Sequence, residues 1–224
     1  IVYALVSENE SEIYIINLNN GTITPIIGAH QWNYSPKWSL DGKQIYFISS
    51  ESTEFIPFSE IFVSNIHERN TKKISNEQMR ISGFSLSPDG SKFLFTSHEE
   101  KDIYTLGVDG SKLMNLTNNN FAERDPIWSP DSSKIAFSSE KDGNWEIYIV
   151  DSAGGNVERL TYASAVDTPI QWSPHGDYLA FISDRTGSWQ IYIYLFSGKE
   201  IRQITNEDQY PYLADITGIH RNEK

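Results

Sequence analysis

The sequence predicts an all-β fold assembled from five copies of one four-stranded repeat, and three fixed spacings carry that expectation. An apolar anchor followed by a turn recurs as Trp38-Ser39-Leu40-Asp41-Gly42, Leu86-Ser87-Pro88-Asp89-Gly90, Trp128-Ser129-Pro130-Asp131-Ser132 and Trp172-Ser173-Pro174-His175-Gly176. Seven residues after each anchor an apolar triplet begins, at Ile45, Phe93, Ile135 and Leu179. Thirteen residues separate Ile13, Ile61, Ile103, Ile147 and Ile191 from a further apolar residue at Ile26, Ile74, Leu116, Leu160 and Ile204. Twelve more lead to the next anchor, which by extrapolation makes Ile216 the last. Intervals this regular mark an internal repeat.

Each interval has a structural meaning. Pro, Asp and Gly between anchor and triplet make a tight hairpin, joining a strand a to a strand b. The Ile-aromatic pairs, such as Ile103-Tyr104 and Ile147-Tyr148, form strand c, and the next apolar position centres strand d. Polar and apolar residues alternate along all four, as they do when a sheet packs on its faces. Four short strands in 42 to 48 residues match the blade of a β-propeller.

Ile1-Val2-Tyr3 aligns with the strand-b triplets, so the N-terminal repeat lacks a strand a, and the segment Tyr212 to Ile219 is expected to supply one. The expectation is a single five-bladed domain over 1–224, closed one-plus-three. Its blades fall at about 209–224 with 1–27, then 30–75, 79–117, 121–161 and 165–205. Such closure would cover two sheet edges.

The Trp-Ser-Pro-Asp phrase, Ile135-Ala136-Phe137, Ser183-Asp184-Arg185-Thr186-Gly187, Ile147-Tyr148 and the Arg159-Leu160-Thr161 ending resemble the WD-like repeats of TolB-type propellers. The resemblance runs along essentially the whole chain. It implies a non-catalytic, protein-binding scaffold in the periplasm or outside the cell. Similar repeats also form the gating propeller of prolyl-oligopeptidase-type enzymes, so a domain cut from a larger envelope protein or peptidase is another reading. TolB-type rings have six blades, against the five counted here.

Composition narrows the chemistry. With 18 Lys+Arg against 30 Asp+Glu the net charge is −12, which disfavours nucleic-acid and anionic-membrane binding. No apolar run reaches the length of a membrane span. Zero cysteines remove disulfides, thiolate metal sites and a Cys nucleophile. The five histidines fall at unrelated repeat positions, and no Gly-x-Ser-x-Gly elbow, phosphate loop or His-Glu-x-x-His pattern is present. No catalytic residue, cofactor or metal ligand is therefore expected.

Only the interval from strand b to strand c varies, at 12, 16, 10, 12 and 12 residues. The b–c and d–a loops leave the same end of a meander, and loops on a rigid scaffold carry most binding residues. That end holds the candidate partner-binding residues: Phe55 and Phe58 in the longest loop, Trp145 and Trp189 before two successive strands c, Trp32 and Tyr210 in d–a loops, and Arg124 and Arg185. Aromatics supply buried anchors and arginines bidentate contacts to carboxylates. A protein partner is the expectation. The alternative is a carbohydrate-binding or glycoside-hydrolysing propeller, with carboxylates drawn from Glu123, Asp125, Asp167 and Asp208. Asp125, Asp167 and Asp208 stand three, five and eight residues before their anchors, which reads as solvated loop acids rather than equivalent positions. Trp38, Trp128 and Trp172, at one repeat position, are expected to pack between sheets.

Overall fold

A computed structural model describes residues 1–7, 10–26, 32–51, 58–68, 70–75, 79–81, 83–99 and 101–206. Among these there is no helix; the chain is strand and turn throughout. The expected C-terminal strand at Tyr212–Ile219, and with it Tyr210 and Asp208, lies outside the described residues, as does Phe55.

The N-terminal repeat gives three strands, β1 (Val2–Val6), β2 (Ser11–Ile16) and β3 (Ile23–Ile26). The second gives β4 (Trp32–Trp38), β5 (Gln44–Ser50), β6 (Phe58–Asn65) and β7 (Thr71–Lys73). A short β8 (Met79–Arg80) pairs with β6, and a single parallel bridge, Ser11 to Trp32, joins β2 to β4. Three further four-stranded sheets follow in sequence: β9 (Ser85–Leu86) to β12 (Met114–Asn115) through β10 (Lys92–Thr96) and β11 (Ile103–Gly107); β13 (Glu123–Trp128), β14 (Lys134–Ser139), β15 (Glu146–Asp151) and β16 (Glu158–Arg159); then β17 (Asp167–Trp172), β18 (Tyr178–Ser183), β19 (Gln190–Leu195) and β20 (Glu200–Gln203). Strands a, b, c and d lie side by side in that order, as the spacing predicts. Contacts divide the chain into two compact units, residues 1–100 with 104–114, and 101–103 with 115–224.

The hairpin between strands a and b is built the same way each time. The serine after the anchor donates to the turn aspartate, at 2.6 Å in Ser39–Asp41, Ser87–Asp89 and Ser129–Asp131. Its Oγ accepts the backbone N–H of the first strand-b residues, Gln44, Lys92, Lys134 and Tyr178. The last turn residue adopts positive φ, as glycine in three repeats and as Ser132 (φ 63°) in the fourth.

Strands b and c carry the core. The third residue of each triplet stacks on the aromatic of strand c: Tyr3 on Tyr14, Phe47 on Phe62, Phe95 on Tyr104, Phe137 on Tyr148 and Phe181 on Tyr192, with centroids 5.5 to 5.9 Å apart. Phe47, Phe93, Phe95, Phe137 and Phe181 are fully buried. Trp128 and Trp172 are buried as expected, Trp172 stacking on Phe196 at 5.1 Å, whereas Trp38 is half-buried.

Strand d departs from expectation. It is only two to four residues long, and Ile74, Leu116, Leu160 and Ile204 sit one residue beyond it instead of at its centre. The N–H of each still reaches the strand-c isoleucine carbonyl at 2.8 Å. The next residue then turns its hydroxyl back: Ser75, Thr117, Thr161 and Thr205 accept the N–H of Ile61, Ile103, Ile147 and Ile191 at 2.9 to 3.1 Å. That side-chain bond ends the ladder early.

Candidate functional site

The b–c and d–a loops of the second unit meet where β13 and β17 begin. Each strand a is held there by the start of the preceding strand c: Glu123 N–H donates to Lys101 O at 3.0 Å and Asp167 N–H to Trp145 O at 2.8 Å. In the first unit Asn33 bonds Ser11 through both its N–H and its side-chain amide. Registers pair Asn33 with Ser49, Glu123 with Ser139 and Asp167 with Ser183. These three residues stand five positions before their tryptophans.

Asn33, Glu123 and Asp167 are thus the equivalent set, which the offsets of Asp125, Asp167 and Asp208 concealed. Glu123 and Asp167 are not solvated loop acids either: they are 4% and 0% exposed. A carboxylate so buried must be paired or neutralised. Asp167 Oδ2 takes Arg185 Nη2 at 2.8 Å, while its Oδ1 has no hydrogen-bond partner. Glu123 Oε1 accepts from Asn119 Nδ2 at 2.6 Å, its Oε2 is unpartnered, and burial pushes its carboxyl above the usual range. Asp125, by contrast, is exposed in a bulge of β13 at positive φ (55°), followed by Pro126.

Arg124 stands directly before the bulge. Register shifts between Arg124 and Ile127, tilting the strand end. The guanidinium carbon of Arg124 lies 3.9 Å from the centre of the Trp145 ring. Its Nε is 3.4 Å from Asp125 Oδ2, and Nη2 donates to Thr168 Oγ1 at 3.4 Å, reaching from β13 to β17. Arg185 instead folds inward, 4.7 Å over Tyr192 and 5.2 Å over Phe181. Of the residues the sequence nominates here, the structure joins Arg124 to Trp145 and gives Arg185 a structural partner in Asp167. Trp189 is half-buried before β19, at the repeat position of Trp145. In the first unit Phe58 is 44% exposed under Arg80 (4.4 Å), and Trp32 is half-buried at the start of β4.

A second polar cluster, missed in the sequence, lies at the strand-c start of the last three repeats. Glu146, fully buried, accepts from Thr161, from Asn144 Nδ2 at 2.9 Å and from Arg159 Nη2 at 2.9 Å. Asp102 accepts from Asn115 and Thr117 in the same place, and Gln190 from Thr205. The signal was the acid or amide directly before each strand-c isoleucine.

Successive antiparallel meanders of the same four strands, with backbone bonds from the starts of β13 and β17 to the preceding strand c, define a propeller-type repeat protein. Comparison gives the particular family. A family model for the TolB beta propeller domain matches residues 57–163 and 120–219, and the chain belongs to that family. The Protein TolB homolog of Chlorobium luteolum is 28% identical over 145 residues, 62% of this chain and 31% of that one. The chain therefore spans about a third of that relative's length. TolB from Acinetobacter baumannii superposes with a TM-score of 0.60 at 22% identity, over 94% of this chain and 54% of its own. An oligogalacturonate lyase in complex with manganese gives a TM-score of 0.70 at 13% identity, over 92% and 61%. At these identities the two structures speak to the fold.

Proposed function

We propose that this chain is a non-catalytic, protein-binding propeller of five blades over 1–224, closed by its C-terminal segment. It engages its partner through the b–c and d–a loop end of its sheets. Arg124 laid on Trp145 carries the reading: a half-exposed guanidinium fixed on an aromatic plane is the kind of anchor that concentrates binding energy at protein interfaces. Family membership supports a partner-binding role, and a periplasmic or extracellular setting goes with it.

The second reading is a carbohydrate-active propeller, and one observation favours it. Glu123 and Asp167 occupy equivalent positions, both buried, each with one unpartnered oxygen. The likeness to the lyase is of fold alone.

Photo-crosslinkers placed at 145 and 189, with one at 176 in an a–b turn as control, separate the two. Protein adducts at the first two positions and none at the third support binding at this end. Turnover of chromogenic uronides or glycosides that vanishes in Glu123→Gln with Asp167→Asn would replace it with the second reading.

A further inference from the structure

Resting on that reading, we propose that Arg124 is the receptor for a carboxylate of the partner peptide, with the Trp145 ring against the guanidinium and Thr168 beside its Nη2. The other described arginines of the second unit are spent. Arg159, Arg185 and Arg202 each bring a guanidinium nitrogen to 2.8–2.9 Å from a carboxylate oxygen. Arg124 has nothing closer than 3.4 Å: Asp125 beside Nε and Thr168 at Nη2, with no partner at Nη1 among the described residues.

Geometry makes the vacant edge useful. A ring 3.9 Å from the guanidinium carbon engages the cation without accepting any N–H, so Nη1 stays open and Nη2 is held only by the 3.4 Å contact to Thr168. That edge matches the two oxygens of a carboxylate, and Thr168 Oγ1 can donate to one of them. Charge selects further. Arg185, also at this end of the unit, is neutralised by Asp167, which leaves Arg124 as the one described arginine there without a close carboxylate, and a single guanidinium suits a monoanion better than a phosphate dianion. A peptide fits better than a uronide because the guanidinium already covers the Trp145 face, where a sugar ring would stack.

The probe is acetyl-Ala-Leu-Phe with a free C-terminal carboxylate, compared with its C-terminal amide and with trigalacturonate. Binding is read from the Trp145 indole signal in heteronuclear NMR spectra, assigned by its loss in Trp145→Phe. The acid should shift that signal saturably at millimolar concentration, about tenfold more tightly than the amide, as loss of a charge-assisted pair demands. Arg124→Lys, which keeps the charge and loses the fork, should weaken the acid by about the same factor, and Arg124→Gln should abolish binding. Equal affinity for acid and amide, an undiminished Arg124→Lys, or no shift with the acid overturns the assignment. So does trigalacturonate binding through Arg124 where the peptide fails. The broader reading is judged separately: crosslinks at 145 and 189 that persist in Arg124→Gln leave a protein-binding end without a carboxylate receptor.

Discussion

Arg185 donates from Nη2 to Oδ2 of Asp167 at 2.8 Å, and the carboxylate it meets is wholly buried at the first position of β17. Arg185 also donates from Nε to Ser183 Oγ, the residue paired with Asp167 across the strands. The pair thus ties the beginning of strand a to the end of strand b. Removing the arginine strands a buried charge, so Arg185→Ala should cost about 3–5 kcal/mol in urea unfolding. Asp167→Asn should cost less, because the amide needs no counter-charge. A loss under about 1 kcal/mol for Arg185→Ala, the range of an exposed pair, would show that Asp167 is neutralised by something else.

Thr161 performs two tasks with one hydroxyl, accepting Ile147 N–H at 2.9 Å and donating to buried Glu146. Thr161→Val keeps the shape and deletes both bonds, which should cost about 1–3 kcal/mol. Thr205→Val should be milder, since its partner Gln190 is uncharged and the preceding Ile204 is 48% exposed. Equal losses in paired chemical melts would contradict this ranking.

Asp131 links pH to stability through the a–b turn. Hydrogen bonds from Ser129 and from the N–H and hydroxyl of Ser133 lower its carboxyl to about 2. A folded value below the unfolded one, about 3.9, adds stability that is fully present above the unfolded value. It is lost as pH falls toward about 2. The Tm gap between the native chain and Asp131→Asn should hold constant near neutrality and close with acidification. A gap independent of pH would detach the turn from the acid titration.

Glu123 has the opposite sign. Burial first, and Asp102 nearby, raise its carboxyl against the hydrogen bonds from Thr117, Asn119 and Ser139. The folded state then binds the proton more tightly than the unfolded chain, so this group's contribution declines as pH rises through that window. Glu123→Gln should gain stability relative to the native chain at neutral pH and lose that advantage in acid. A Gln variant that falls further behind as pH rises would reverse the assignment.

The tryptophans divide by depth. Trp128→Ala and Trp172→Ala should each cost about 3–5 kcal/mol, since both are buried. Half-buried Trp145 and Trp189 should cost less. Equal losses at all four would remove the distinction between sheet-packing and loop-end positions.

Strand order and hairpin chemistry were legible because they recur: Trp-Ser-Pro-Asp writes its own hydrogen bonds, and the aromatic stack of Phe137 on Tyr148 follows from two fixed intervals. Strand d was read too long, because period-2 alternation gives no sign that Thr161 will turn its hydroxyl onto the ladder. The buried acids were misjudged for a different reason. Counting from Asp125 hid the equivalence of Glu123 and Asp167, and burial at a strand start depends on the preceding sheet, through bonds such as Asp167 N–H to Trp145 O. Arg124 and Trp145 were both nominated, but twenty-one residues separate them in sequence. Their contact depends on how β13 sits against the start of the following strand c, which spacing does not show.

The bond from Asp167 N–H to Trp145 O, like that from Glu123 N–H to Lys101 O, is made by backbone at fixed repeat positions and asks nothing of the side chains. A joint of this kind is indifferent to drift in sequence. It would survive duplication or loss of a whole repeat, because each copy carries its own donor at one end and its own acceptor at the other. Gene-level changes in repeat number are therefore structurally inexpensive for such a chain, while the residues that differ between copies, Arg124 against Thr168 and Glu123 against Asn33, remain open to acquire separate tasks.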